Sequence, residues 1–322
     1  MAEQKNVADT FKKMKFSLST EGILGLILIL LFIILSISTD KFLSIPNLSN
    51  LARQTSIVGI IAVGMTFVIV SAGIDLSVGS VLALGGIMGS ILMRDGHSIF
   101  LAFIVAVAVG ILVGIVNGFV IHEMKVTPFI ATLGTMYIVR ATVMLITHAN
   151  YISPLPKSFI KFAADSYFCI PTLTLIWLII AFFAFILSKY TRLGRNIFAI
   201  GSNVEAARLS GINIRTNTYV VYIIVAVLSS FAGVLTAGRL ATGLPMAGQG
   251  YELQVIAAVV VGGGSLFGGE GTIVGTILGA LLIATIGNGG NLLGVNPHIL
   301  NIIVGSLIII SVYIDQLSKK RR

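Results

Sequence analysis

Asp75 stands between two apolar runs, in the stretch Ser71–Ser80 (SAGIDLSVGS). A charge buried at the centre of a bilayer costs about 2.5–3.5 kcal/mol on insertion scales, so its position needs a reason. Two reasons fit. Asp75 is an Asx-type cap at a turn, satisfying exposed N–H groups, or it acts directly in gating or solute passage. Gly73 and Gly79 imply irregular backbone around it, and Ser77 or Ser80 is placed to cap the helix that follows. Arg140 is the one basic residue inside an apolar run. It pairs within a bundle, lines a pathway or snorkels outward along its own stem. Asn288 and Asn291, near the end of another run, suit sugar hydroxyls and equally suit helix capping.

Catalytic chemistry has no evident residues to carry it. His97, His122, His148 and His298 are scattered without metal-ligand spacing, and no serine sits in a nucleophile-elbow context. The glycine-rich stretch 262–272 (GGGSLFGGEGT) lacks the Gly-Lys-Ser/Thr ending of a phosphate loop. It reads instead as a bent membrane segment whose backbone polar groups face protein or a water-filled cavity. The expectation is a non-enzyme with no metal or cofactor of its own.

The elements that position these residues are apolar stretches long enough, or nearly so, to cross a bilayer. Charged residues make up only 10% of 322 and mean hydropathy is +1.03. About 20 helical residues cross a hydrocarbon core roughly 30 Å thick, and continuous apolar runs favour helices over barrels. Ten spans are expected, at 22–39, 54–72, 77–93, 99–121, 128–147, 172–188, 218–238, 253–267, 272–290 and 298–314. The eighth is short and is expected to be broken or half-inserted. With both termini inside, fourteen basic residues fall on the cytoplasmic side and six outside, Arg140 completing the 21. This positive-inside bias supports cytoplasmic termini and an even number of crossings, so the net charge of +9 encodes orientation rather than nucleic-acid binding. The fold class is an all-α polytopic membrane protein. Its parts are a cytoplasmic segment 1–21, a membrane domain 22–315 and a basic tail 316–322. Residues 1–20 are polar without a small-residue cleavage site, so the first span reads as a retained helix. Cys169, the single cysteine, excludes an internal disulfide and reads as a small hydrophobe near a span entrance.

Two loops stand out. Segment 148–171, with Pro154, Pro156 and Pro171, is expected to form an ordered or partly helical external cap. Segment 189–217 is the longest cytoplasmic stretch. Within it Asn203–Leu209 reads as a short helix, N-capped by Ser202 or Asn203 and stopped at Gly211. Gly110, Gly114 and Gly118 recur at four-residue spacing, as do Gly271, Gly275 and Gly279. Such faces let helix backbones approach closely in lipid. A short echo links Gly73–Leu82 with Gly269–Leu278, both at turns on the cytoplasmic side.

Several long stretches resemble the permease subunits of bacterial ABC sugar importers, most closely the ribose type. They are VGMTFVIVSAGIDLSVGS (63–80), TPFIATLGTM (127–136), TRLGRNIFAIGSNVEAARLSGI (191–212), GYELQVIAAVVVGGGSLFGGEGTIVGTILGALL (250–282) and NLLGV (291–295). The resemblance runs over about residues 22–315. It implies a multi-pass protein of the bacterial inner membrane, acting as a homodimer and importing a monosaccharide by alternating access. It implies cytoplasmic ATPase subunits that hold the ATP and Mg, and an extracytoplasmic sugar-binding protein. The 191–212 stretch would be the segment that contacts the ATPase through Asn203, Glu205, Ala206, Ala207, Arg208 and Gly211. Small Ala206 and Ala207 would seat it in a cleft, with Glu205 and Arg208 fixing orientation. Gly73, Asp75, Ser77, Arg140, Asn288 and Asn291 are the candidates for translocation or gating. The sequence departs from the ribose pattern at Gln254, where an acidic residue is usual, in 241–247 (ATGLPMA) and at Asn288-Gly289-Gly290. Those departures leave open another pentose, a hexose, a polyol or a branched-chain amino acid as cargo. An ion-gradient transporter is a further alternative, disfavoured because most charges lie in loops.

Overall fold

The computed structural model describes residues 20–320. The expected segment 1–21 therefore lies almost wholly outside the described residues, as do the last two residues of the basic tail. Thirteen helices are described. Their order is α1 (Thr20–Ser38), α2 (Ile45–Val70), α3 (Val78–Arg94), α4 (Ile99–His122), α5 (Pro128–Thr147), α6 (Lys157–Ala164), α7 (Thr172–Tyr190), α8 (Arg192–Ser202), α9 (Val204–Leu209), α10 (Ile214–Leu240), α11 (Tyr251–Val261), α12 (Ile273–Leu292) and α13 (Pro297–Lys320). A two-stranded ribbon, β1 (Ser166–Tyr167) with β2 (Ile170–Pro171), sits between α6 and α7.

Eight of these helices are long and apolar enough to cross a membrane; α3 and α11 are apolar but shorter. The eighth expected span, 253–267, is cut back to Tyr251–Val261. Gly262 closes the helix, and a turn follows in which Gly263, Gly268, Gly269 and Gly271 take positive φ. The second expected span is too short at its start. Helix α2 begins at Ile45, with Pro46 in its first turn, because Asn47, Asn50 and Arg53 are polar residues on a helix that continues through them.

Helix α2 is the axis. From Ile57 to Val70 every side chain is buried, as an element apolar on all sides requires. Helices α7, α10, α11 and α12 surround it. Trp177 of α7 lies against Gly59, and Val225 of α10 against Gly64. The most extensive helix pairing is α4 with α10. A Cβ on Gly110 would stand 2.5 Å from Val227 Cα, and one on Gly114 2.5 Å from Ile223 Cα. Gly118 faces Tyr219 in the same row. The other glycine row is divided. Gly275 and Gly279 press on the backbone at Gly262 and Ala258, whereas Gly271 lies outside the helix, in the turn before it.

The outermost elements are α1 and α13, with 11% and 6% of their apolar windows buried. Their exposed Ile and Leu side chains, like Phe129, Ile138 and Leu145 of α5, form the apolar surface that a bilayer solvates. Segment 148–171 is ordered and partly helical. Phe159 and Ala163 of α6 cover Gly238 near the end of α10, and Ile152 pairs with Gly243. Cys169 does not pack as a small hydrophobe: it is exposed in the turn between β1 and β2. The ribbon is too short to bury both faces of its turn.

Candidate functional site

Asp75 lies in the turn between α2 and α3 and is fully buried. Its Oδ1 accepts from Ser77 N at 2.8 Å and from Ser77 Oγ at 2.6 Å, the two-residue reach of an Asx turn. Asn117 of α4 adds a long bond to Oδ2 at 3.5 Å and a better one to Ser77 Oγ at 3.1 Å. Thr135 of α5 donates to Asn117 Oδ1 at 2.7 Å. The same turn is held from two more sides, by Thr132 Oγ1 accepting from Leu76 N and by Tyr222 Oη donating to Ile74 O. Ser77 occupies the N-cap of α3 but its hydroxyl is committed to Asp75, and no side chain caps that helix. The turn is thus a junction at which α3, α4, α5 and α10 share one polar network. Asn117, the only carboxamide in an otherwise apolar α4, was the readable signal for it.

At the same end of the bundle lie α8 and α9. Thr191 caps α8 by accepting from Gly194 N at 3.2 Å, and the helix buries Gly194, Ile197, Ile200 and Gly201. Gly201 abuts the Val70 carbonyl and Gly269 N so closely that no side chain fits, and Gly269 N donates to that carbonyl at 2.8 Å. The end of α2, the end of α8 and the turn before α12 therefore meet at one point. Both arms of the short sequence echo lie here, each leading into a helix. Gly73 borders a cavity of about 80 Å³ between the Asp75 turn and α8, lined also by Asn217 and Tyr222.

Helix α9 projects from this platform. Asn203 is its cap, accepting from Ala206 N at 2.9 Å, and Gly211 follows with φ +82°. Glu205 and Arg208 pair at 2.9 Å on the exposed surface. Ala206 is exposed, but Ala207 is buried within the chain, so it cannot sit in a partner's cleft in this conformation. The spacing of a six-residue helix turns every third or fourth residue inward. The exposed apolar side chains are Val204 and Leu209, the latter 81% exposed, which composition alone did not single out.

The opposite end carries the other candidates. Arg140 donates to the carbonyls of Pro245 and Ala247 at 2.8 and 3.0 Å, clamping the segment that joins α10 to α11. Asn288 and Asn291 part company. Asn288 makes a reciprocal carboxamide pair with Asn47 of α2, at 2.8 and 3.1 Å. Asn291 instead lines a cavity of about 170 Å³ between α2, α11, α12 and α13, together with Gln54, Gln254 and Asn301. Among the described residues no group of three or more His, Cys, Asp or Glu side chains is placed to hold a metal.

These features define a multi-pass helical membrane protein, with a polar junction and an exposed helix at one end and a polar cavity opening toward the other. Residues 47–312 match the family described as the permease component of branched-chain amino acid transport systems, and the chain belongs to that family. It is 40% identical to the ribose import permease protein of Haemophilus influenzae over 288 residues, 88% of each chain. Its identity to the ribose import permease protein of Escherichia coli strain K12 is 41% over 268 residues, 81% of this chain and 83% of the relative. To the D-allose transport system permease protein of the same strain it is 38% identical over 287 residues, 88% of each. No solved structure matches the chain.

Proposed function

We propose that this chain is the membrane permease of an ATP-driven importer for a monosaccharide. The observation that carries the coupling part of the reading is α9: a short, capped, largely exposed helix that presents the Glu205–Arg208 pair and Leu209, seated through α8 on the end of the central helix. An exposed helix has no packing reason to exist, and a docking motor supplies one. The sugar comes from the relatives, named for ribose and D-allose and similar over more than four fifths of this chain. The family's description favours a second cargo, a branched-chain amino acid.

In this reading both termini and α8–α9 are cytoplasmic, ten apolar helices cross or enter the bilayer, and two copies flank the path. ATP and Mg sit on separate ATPase subunits. Their closure pushes α9, and Gly201 passes that displacement to the Val70 carbonyl and the turn at Asp75. A loaded binding protein on the far side shifts the equilibrium only by its differential affinity for the two conformations.

The test is reconstitution of the permease with its ATPase and binding protein in proteoliposomes. Glu205→Ala and Arg208→Ala are expected to keep ATP hydrolysis while uptake falls about tenfold. An exposed pair of this kind is worth only about 0.3–0.5 kcal/mol to folding, so loss of uptake reports the partner contact. Normal uptake in both variants rejects α9 as the coupling element. Competition among pentoses, hexoses, polyols and Leu/Ile/Val decides the cargo.

A further inference from the structure

The cavity between α2, α11, α12 and α13 is lined by four carboxamides, Gln54, Gln254, Asn291 and Asn301, one from each helix. Among the described residues none of these four side chains bonds to protein. This is unusual company for a membrane domain in which hydroxyls bond back to their own helices and Asn47, Asn117 and Asn288 are all paired. Gln54, Asn291 and Asn301 are exposed and Gln254 is half-buried, so their free donors and acceptors face water or a ligand in the opening. The cavity runs inward from them. From Asn291 to Ala280, both on the wall, is eleven residues of α12, about 16 Å of helix, which reaches its middle.

Three properties restrict the occupant. The lining holds no charged side chain, so nothing there rewards an anion or a cation over a neutral solute. Each carboxamide offers both donors and an acceptor, which matches hydroxyls that donate and accept at once. At about 170 Å³ the space is below the roughly 300–1,000 Å³ of drug-sized ligands, which leaves one small ring or a few waters. The lining also includes Val58, Ile283 and Leu300, apolar side chains available to the C–H faces of a ring.

We infer that this cavity is a transit site for a single neutral monosaccharide, held by Gln54, Gln254, Asn291 and Asn301. The inference rests on the transport reading above and gives it a location. Gly287 opens onto the same cavity, and a Cβ there would meet nothing within 4 Å. A larger side chain at 287 therefore fills the cavity without displacing a packed neighbour.

Uptake of D-ribose, D-allose, D-xylose and D-galactose is measured in proteoliposomes holding permease, ATPase and binding protein. Gly287→Leu is expected to cut the saturated rate of the transported sugar about tenfold or more. Gln254→Leu and Asn301→Leu each remove one hydrogen bond, worth about three- to tenfold, and shift the order of preference among the four sugars. Gly287→Ala keeps most of the space and retains most of the rate. Wild-type rates in Gly287→Leu and in the Gln254→Leu/Asn301→Leu double variant overturn the site. A loss in Gly287→Ala equal to that in Gly287→Leu overturns it too, since the filled volume would then not be the cause. A wild-type complex that moves none of the four sugars overturns the monosaccharide reading and the site together.

Discussion

Asp75 shows how one buried carboxylate can be both a structural cap and a mechanical joint. Its Oδ1 is satisfied inside its own turn, but Asn117 and Thr135 tie that turn to two further helices. Asp75→Leu removes the acceptor for Ser77 N and Ser77 Oγ and leaves both buried. The expected cost is about 1–3 kcal/mol, seen as a lower unfolding temperature of the purified protein in detergent. Asn117→Leu should cost a similar amount, and the double variant less than the sum, because the two side chains share Ser77 Oγ. Strict additivity would show that the junction is two separate caps. The sequence offered Asp75, Gly73 and Gly79 as a turn, and an Asx cap was one of its two readings. It did not offer the partners, because Asn117 and Thr135 are 42 and 60 positions away and only the crossing of α4 and α5 brings them near.

At the level of elements, glycine spacing and apolar length carried most of the information. The row Gly110, Gly114, Gly118 faces α10 at backbone contact. Gly114→Leu should therefore overpack that crossing by about 1–3 kcal/mol or more, while Gly134→Leu, whose Cβ would meet nothing within 4 Å, should leave thermal stability in detergent unchanged. Equal stability of the two variants would mean that α4 and α10 are not held at this distance. Elements were misread where polarity and burial diverge. The first turns of α2 looked like loop because Asn47, Asn50 and Arg53 are polar, yet Asn47 is spent on Asn288 and Arg53 on the Ala164 carbonyl. Helix α8 was hidden inside a stretch read as one loop, because its register shows only once Ile197 and Ile200 are known to face the core.

For the whole molecule, orientation rests on the distribution of Lys and Arg, and the chain carries its own reporter of it. Cys169 is the sole cysteine and is exposed at the tip of the β1–β2 turn, at the end of the bundle opposite α9. A membrane-impermeant maleimide should label intact cells expressing the unmodified chain, and Cys169→Ser should abolish the labelling. Labelling only after the membrane is opened would invert the topology and place α9 outside. The helical membrane plan was legible because span length and helix-packing glycines each act through local composition. The cavity was not, since it is assembled from four helices: Asn291 read as a candidate for sugar hydroxyls or capping and Gln254 as a departure from the ribose pattern, but nothing in the sequence joined them to Gln54 and Asn301.

Helix α13, which forms one wall of that cavity, is also among the least embedded elements of the bundle. Its inclination is therefore set as much by the surrounding lipid as by its neighbours. A hydrophobic segment longer than the local bilayer leans over, and a thicker bilayer lets it stand upright. The width of that cavity is, in that sense, partly a property of the lipid composition around the bundle.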